Sequence, residues 1–357
     1  MSARPLRVMC LSNMYPGPGA PDYGAFIERM CDSMEQRGVE VHRVVIRTRS
    51  SGRLRTPLKY AGLTARALVA SLRADVIWAH YLFPTGLIAA IAGSAARTPW
   101  VITAHGGDVA NLSNGMVRRL SGPPAHAATA VIAVSEWLGG RMYAEGLRPE
   151  RVEVASMGVD ARRFAIGDRG AARERLGLPP DAPVVLAVGG LSARKNPLGL
   201  MRAFAILRGE MPDARLAFVG SGPLAGAVDA QARRMGLDDV VIRTGLVPNA
   251  AVTDWMTACD VVALVSLVEP LGVAALEAMA SGRPVVGTEV GGLKEVVPGG
   301  LAGLIVDPHD DAAIAAALAR MIIAPPDPST CREAALAHSL DVETDHVLEV
   351  LAAAARA

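Results

Sequence analysis

Two glutamates, Glu269 and Glu277, stand with seven residues between them in the stretch EPLGVAALEAMASGRPVV, residues 269–286. A carboxylate accepts two hydrogen bonds at once and can grip a vicinal diol. The apolar run CDVVALVSL (259–267) before them reads as a strand, and a helix is expected from about Leu271 or Gly272. Glu269 then lies in the strand-to-helix turn and Glu277 in the second helical turn. The free amides of Leu271, Gly272 and Val273 would favour an anion or an electron-rich oxygen. Two carboxylates beside such amides suit a ligand with two polyol parts. The plainer alternative has Glu269 capping the helix and Glu277 facing solvent. The apolar neighbours of Glu277, including Ala275, Leu276 and Ala278, weigh against it.

The elements that would carry these groups alternate along the chain. LRVMCLS (6–12), VEVHRVVI (39–46), ADVIWAH (74–80), WVITAHG (100–106), TAVIAVS (129–135) and RVEVASMG (151–158) read as strands. Helical patterns at 25–37, 85–97 and 136–145 separate some of them. The pattern restarts after residues 158–183 with PVVLAVGGL (183–191), ARLAFVGSG (214–222), DVVIRTGLV (239–247), CDVVALVSL and RPVVGTEV (283–290). Strands that are apolar throughout indicate parallel sheets covered on both faces. The fold class is therefore α/β, with two Rossmann-like doubly wound parallel-sheet domains. Ligands of such sheets bind outside the carboxyl ends of the strands, where two domains can share a cleft. Nearly all the stretches there carry Gly or a polar group: the loop Asn13 to Gly24, His80, His105 to Asp108, Gly158 to Asp160, Gly190 to Asn196, Gly220 to Pro223, Gly245 to Val247, Glu269 to Val273, and Glu289 to Gly292.

Bulk properties narrow the function. The chain has 357 residues, enough for two domains, and 51% of them are apolar. A net charge of +1 and 4% aromatic residues give no case for nucleic acid. Cys10, Cys31, Cys259 and Cys331 are scattered, which points to reduced thiols in a cytoplasmic protein rather than to a zinc site or disulfide framework. The N-terminus reads as a first strand, not a signal peptide, and no apolar stretch reaches the ~18 residues of a spanning helix. The Asn13–Gly24 loop does not fit G-x-G-x-x-G, so a nicotinamide cofactor is not expected.

Taken in order, YGAFIERM, ITAHGGD, VSEWL, GVDARRF, VGGLSARKN, VGSGP, the paired glutamates and GTEVGGLKEVV resemble the retaining GT-B glycosyltransferases of family 4, the glycosyl transferases group 1, over nearly the whole chain. The resemblance implies two domains facing a central cleft. Residues 1–163 would bind the acceptor, 164–335 the nucleotide-sugar donor, and the last segment, 336–357, would return to the first domain. By position, Glu277 resembles the glutamate on the donor ribose and Glu269 the one beside the donor sugar, near the amides of Leu271, Gly272 and Val273. Arg194 and Lys195 would meet the diphosphate and offset the charge on the leaving nucleotide. Many members carry Arg where this chain has Gly190, which leaves Arg194 beside Lys195 to supply that charge. Gly24 would let the first loop approach the donor phosphates, Leu246 and Val247 would meet the base, and Gly220 and Gly222 would line the same pocket. His105 would face the donor sugar near the reaction centre, with His80 and Asp108 on the acceptor side, Asp108 orienting the acceptor or a loop. His105, Glu269, Arg194 and Lys195 are the expected catalytic group.

No D-x-D triplet occurs, so neither a metal nor another cofactor is expected. The implied reaction moves a sugar from a nucleotide diphosphate sugar, UDP as first choice, to an acceptor hydroxyl with retention. The acceptor would be a glycan, a lipid-linked molecule or a small molecule, in envelope glycan, polysaccharide or glycolipid synthesis. A non-catalytic nucleotide-sugar-binding partner and a sugar-nucleotide epimerase of the same fold are the alternatives. Residues 44–73 carry seven basic residues and no acidic one. Arg55, Lys59, Arg66 and Arg73 fall on one helical stripe, which suits either an ordinary surface helix with its apolar face buried or a contact of residues 55–73 with an anionic membrane surface from the cytoplasmic side.

Overall fold

A computed structural model describes residues 4–18, 20, 23–48 and 52–357, without the side chains of residues 52–55 and 249. Part of the Asn13–Gly24 loop and the Arg55 side chain of the basic stripe therefore lie outside the described residues. The chain divides into two units: Met1–Gly158 with Leu340–Ala357, and Val159–Ser339.

The first unit is built on β1 (Arg7–Ser12), β2 (Glu40–Val45), β3 (Val76–His80), β4 (Trp100–Ala104), β5 (Ala130–Ala133) and β6 (Val152–Val154). They form one sheet in the order β2-β1-β3-β4-β5-β6, and every pairing is parallel. The inner strands β3 and β5 are buried throughout, which is why their sequences are unbroken apolar runs. β2, at the edge, alternates and stays partly exposed. β1 pairs with β2 on one side and β3 on the other, so the chain reverses its winding there. The carboxyl ends at Ser12 and His80 thus bound the crevice that a doubly wound sheet opens to ligands.

The helix Leu340–Ala354 belongs to this unit. Val347, Val350, Leu351 and Ala354 recur at helical spacing and enter the core with Val8, Ile27 and Trp78. Polar contacts fix its pose: Arg37 reaches Asp341 at 3.0 Å and Asp345 at 2.6 Å. Buried Glu343 accepts from the amide and hydroxyl of Ser156 at 2.9 and 2.8 Å.

The second unit repeats the plan with β7 (Val184–Val188), β8 (Arg215–Val219), β9 (Val241–Gly245), β10 (Val261–Leu264), β11 (Val285–Thr288) and β12 (Gly303–Val306). The order is β12-β11-β10-β7-β8-β9, again all parallel. Its winding reverses between β7 and β10, so the ligand crevice lies at Val188 and Leu264. β12 is absent from the sequence reading. It is only four residues long, leans on the turn at Gly299 and Gly300, and is half exposed, which dilutes its signal.

Candidate active site

At the crevice of the second unit, Gly189, Gly190, Leu191, Lys195, Leu264 and Ser266 line one depression. Glu269 lies just beyond β10 and is 6% exposed. Its carboxylate forms an ion pair with Lys195 Nζ and accepts the Ser266 hydroxyl at 3.2 Å. Ser266 is itself held, because the Thr288 hydroxyl donates to its carbonyl at 2.6 Å. The backbone of Glu269 is fixed as firmly: its carbonyl accepts the Gly292 amide at 3.0 Å. Gly291, at φ +60°, packs so closely that a Cβ there would lie 1.8 Å from that carbonyl oxygen. Lys195, Ser266, Thr288 and Gly291 thus make Glu269 a preset group. Of these supports, sequence reading gave a role to Lys195 and placed Gly291 in the stretch after a strand, but nothing in the spacing of a lone Ser, Thr or Gly ties it to a particular carboxylate.

Glu277 is the fifth residue of the helix Val273–Ala280 and is partly exposed, while its neighbours Ala275, Leu276 and Ala278 are buried. The helix begins at Gly272, with φ +100°, and no side chain caps it. Leu271 is buried and Val273 exposed at this start. Arg194 is exposed, and its carbonyl accepts the Leu267 amide at 2.7 Å, which ties the basic loop to the Glu269 turn. Gly220 and Gly222 pack loop on loop. Cβ atoms there would fall 2.1 Å from the Gly189 oxygen and 2.4 Å from the Leu191 oxygen. Leu246 is exposed and Val247 half-buried after β9.

In the first unit, His80 ends β3 fully buried, and its Nδ1 lies 3.0 Å from His105 Nε2. His105 is half-buried, with the rings of Tyr81 at 4.7 Å and Phe26 at 5.2 Å. Burial drives both imidazoles toward the neutral form: His80 well below its ordinary pKa, with His105 adding to the effect, and His105 down to about 3. Asp108 is buried and turned to backbone. One oxygen accepts the amides of His105, Gly106 and Val109 at 3.0, 2.9 and 3.0 Å; the other accepts that of Leu82 at 2.9 Å. Burial raises its pKa and the amides oppose the rise. The carboxylate thereby ties the loop after β4 to the turn Leu82–Gly86 after β3. Gly24, at φ +76°, starts the helix Ala25–Gln36 where a Cβ would lie 2.4 Å from the Met14 carbonyl oxygen.

The helix Gly52–Ser71 holds most of the basic stripe. Lys59 donates to the Thr48 carbonyl at 2.7 Å and Arg66 to that of Val45 at 3.0 Å, so both cations are partly turned to the fold. Leu58, Val69 and Leu72 remain 74%, 68% and 71% exposed. A groove between this helix and β2, lined by Val41, Val44, Arg66 and Val69 among others, contains none of the expected site residues. Among the described residues no His, Cys, Asp and Glu cluster could hold a metal ion, and no helix is long and apolar enough to cross a membrane.

Residues 168–338 match the family model "Glycosyl transferases group 1", and residues 6–158 match "Glycosyl transferase 4-like domain". D-inositol 3-phosphate glycosyltransferase 1 of Catenulispora acidiphila is 35% identical over 291 residues, 74% of this chain and 68% of that protein. Its D-inositol 3-phosphate glycosyltransferase 2 is 40% identical over 194 residues, 52% of this chain but 45% of that protein. The crystal structure of Anabaena Alr3699/HepE with UDP and glucose superposes with a TM-score of 0.79 at 23% identity, covering 98% of this chain and 100% of that one. The WaaG glycosyltransferase structure gives 0.73 at 17% identity, covering 97% and 99%. Two six-stranded parallel sheets of this order and a relative matched at this level make the chain a GT-B protein of the glycosyl transferases group 1 family.

Proposed function

We propose that the protein is a retaining, metal-independent glycosyltransferase that moves a sugar from a UDP-sugar to an acceptor hydroxyl. The observation that carries this reading is Glu269, buried and preset by Lys195 and Ser266 at the crevice of the second unit, eight positions before Glu277. In this reading Glu277 holds the ribose and Glu269 the donor sugar. Arg194, Lys195 and the amides at the Gly272 helix start hold the diphosphate. The acceptor hydroxyl attacks the anomeric carbon from the face that the nucleotide leaves. The carbon–oxygen bond to the diphosphate breaks, and the acceptor proton passes to the departing phosphate oxygen. His105 is assigned to the donor sugar as well. The complexes of Alr3699/HepE with UDP and with UDP-glucose support UDP as the nucleotide to try first. The names of the curated relatives support a small phosphorylated polyol as the first acceptor, ahead of a lipid-linked or polymeric glycan of the cell envelope. The exposed apolar residues Leu58, Val69 and Leu72 beside Arg73 support a peripheral contact with anionic lipid at the cytoplasmic face, and failure to sediment with anionic liposomes at low salt would remove that contact.

The test is calorimetric titration with UDP, GDP, ADP and dTDP. UDP binding that weakens at least about tenfold in Glu277→Ala supports the reading. No binding of any of the four overturns it. Turnover of UDP-glucose with D-inositol 3-phosphate, unchanged by EDTA and giving an α-linked product, would extend it to mechanism.

A further inference from the structure

We infer that His80 is a positioning residue that sets the tautomer of His105, so that His105 offers an N–H from Nδ1 to its ligand. The inference deepens the transferase reading, because it assigns the donor-facing atom of a residue which that reading places at the sugar.

His80 Nδ1 and His105 Nε2 lie 3.0 Å apart, and two neutral rings can share only one proton across that gap. In the first arrangement His80 Nδ1–H donates to His105 Nε2. The His105 proton then sits on Nδ1, and His80 Nε2 is a bare lone pair. In the second arrangement His105 Nε2–H donates to His80 Nδ1. His80 must then carry its proton on Nε2, and His105 Nδ1 is bare. The choice turns on His80 Nε2, which is buried and meets no hydrogen-bond partner among the described residues. The second arrangement strands an N–H donor there, and orphaned buried donors are rare in folded proteins. The first strands only an acceptor. Protonating either ring to satisfy both positions is opposed by the buried setting.

The surroundings hold the pair in one pose. The His80 ring packs on Trp78, with centroids 4.1 Å apart, and the Trp78 indole N–H donates to Thr103 at 2.8 Å, so the packing surface is itself anchored. The His80 carbonyl accepts the Thr85 hydroxyl. Asp108 receives the His105 amide and fixes its backbone. His105 is the half-exposed member of the pair, and Nδ1 is the ring nitrogen left for a ligand oxygen.

The experiment is long-range nitrogen–proton NMR of histidine-labelled protein, on wild type, His80→Leu and His80→Asn, with thermal melts of each. The wild type should show His105 neutral with its proton on Nδ1. His80→Leu removes the donor that selects the tautomer, and His105, half-exposed where His80 is fully buried, should revert to the Nε2–H form that a neutral imidazole favours intrinsically. His80→Asn places an amide N–H where Nδ1 stood and should restore the Nδ1–H form, whatever each change does to the melting temperature. A wild-type His105 protonated on Nε2, or a tautomer unmoved in His80→Leu, overturns the proposal. UDP-glucose hydrolysis, measured alongside, should fall about tenfold to a hundredfold in kcat in His80→Leu with little change in KM, and recover in His80→Asn. If the wild type does not turn over UDP-glucose, the choice of donor fails while the NMR result still decides the tautomer.

Discussion

Lys195 and Glu269 face each other as an ion pair in the crevice of the second unit, the lysine on the loop after β7 and the glutamate in the turn after β10. The carboxylate is nearly dry, and the Ser266 hydroxyl at 3.2 Å is a second partner. A buried charge deprived of its counter-ion is destabilising by more than the pair is stabilising. Lys195→Ala should therefore lower unfolding free energy by about 3 kcal/mol. Glu269→Gln, which keeps the shape and removes the charge, should lower it less. The double variant should be more stable than the sum of the two losses predicts, because each single change strands the other partner. Urea denaturation of the four proteins measures this. Strict additivity would mean that the pair does not form in solution.

Gly291 is the backbone counterpart of that pair. Its φ of +60° and the Glu269 carbonyl oxygen in the place of its Cβ leave room for glycine alone. Gly291→Ala should cost at least about 2 kcal/mol from the left-handed backbone and the clash together. It should also weaken UDP binding by displacing Glu269. Gly300 provides the control. Its φ is +83°, but a Cβ there would meet nothing within 4 Å. Gly300→Ala should cost only about 1 kcal/mol and leave UDP affinity unchanged. Equal losses in the two variants would show that the close approach at Gly291 has no energetic weight.

The strands were legible because parallel sheets bury both faces, so β3, β5 and β10 appear as short unbroken apolar runs. Half-exposed β12 lacked that contrast. Glu269 and Glu277 were legible because two carboxylates at a strand-to-helix junction have no place in a core. What the spacing did not carry was how Glu269 is held. Ser266, Thr288 and Gly291 converge on it only through pairing of β10 with β11 and the loop beyond, and pairing partners are not written in local pattern. The same limit applies to His80 and His105. Each was visible as a histidine at a strand end, but their direct contact follows from β3 lying beside β4.

Asp108 shows how a polar group in a crevice can serve the backbone. Four amides converge on its two oxygens, and replacing it strands them in a buried place. Asp108→Asn can keep the three bonds on one oxygen, but it turns an amide N–H toward that of Leu82. A loss of about 1–2 kcal/mol is expected. Asp108→Ala strands all four amides and should cost more, about 3 kcal/mol after loop relaxation. Hydrogen exchange at the Leu82 and Gly106 amides should accelerate in the same order. Faster acceptor turnover-number loss than exchange gain in Asp108→Asn would instead give the carboxylate a direct role with the acceptor.

Acid should act on the first unit through its histidines. A group whose folded pKa lies below its unfolded value binds protons preferentially in the unfolded chain, so stability falls as pH drops below the unfolded value. For His105 the window runs from about 6.5 down to about 3, and His80 shifts in the same direction. Each ring that stays neutral through this range contributes a slope of up to about 1.4 kcal/mol per pH unit. Asp108 acts oppositely. Its raised pKa means that the folded state takes up a proton first, so between its unfolded and folded values it adds stability as pH falls. That gain from one carboxyl offsets only part of the loss from two histidine rings. Net stability should therefore decline from pH 6.5 toward pH 5. Denaturant midpoints across that range should fall steeply for the wild type and less steeply for His105→Gln, which has no ring to protonate. Parallel slopes in the two proteins would mean that His105 is already accessible to protons in the folded state, and that the pair with His80 does not keep it dry.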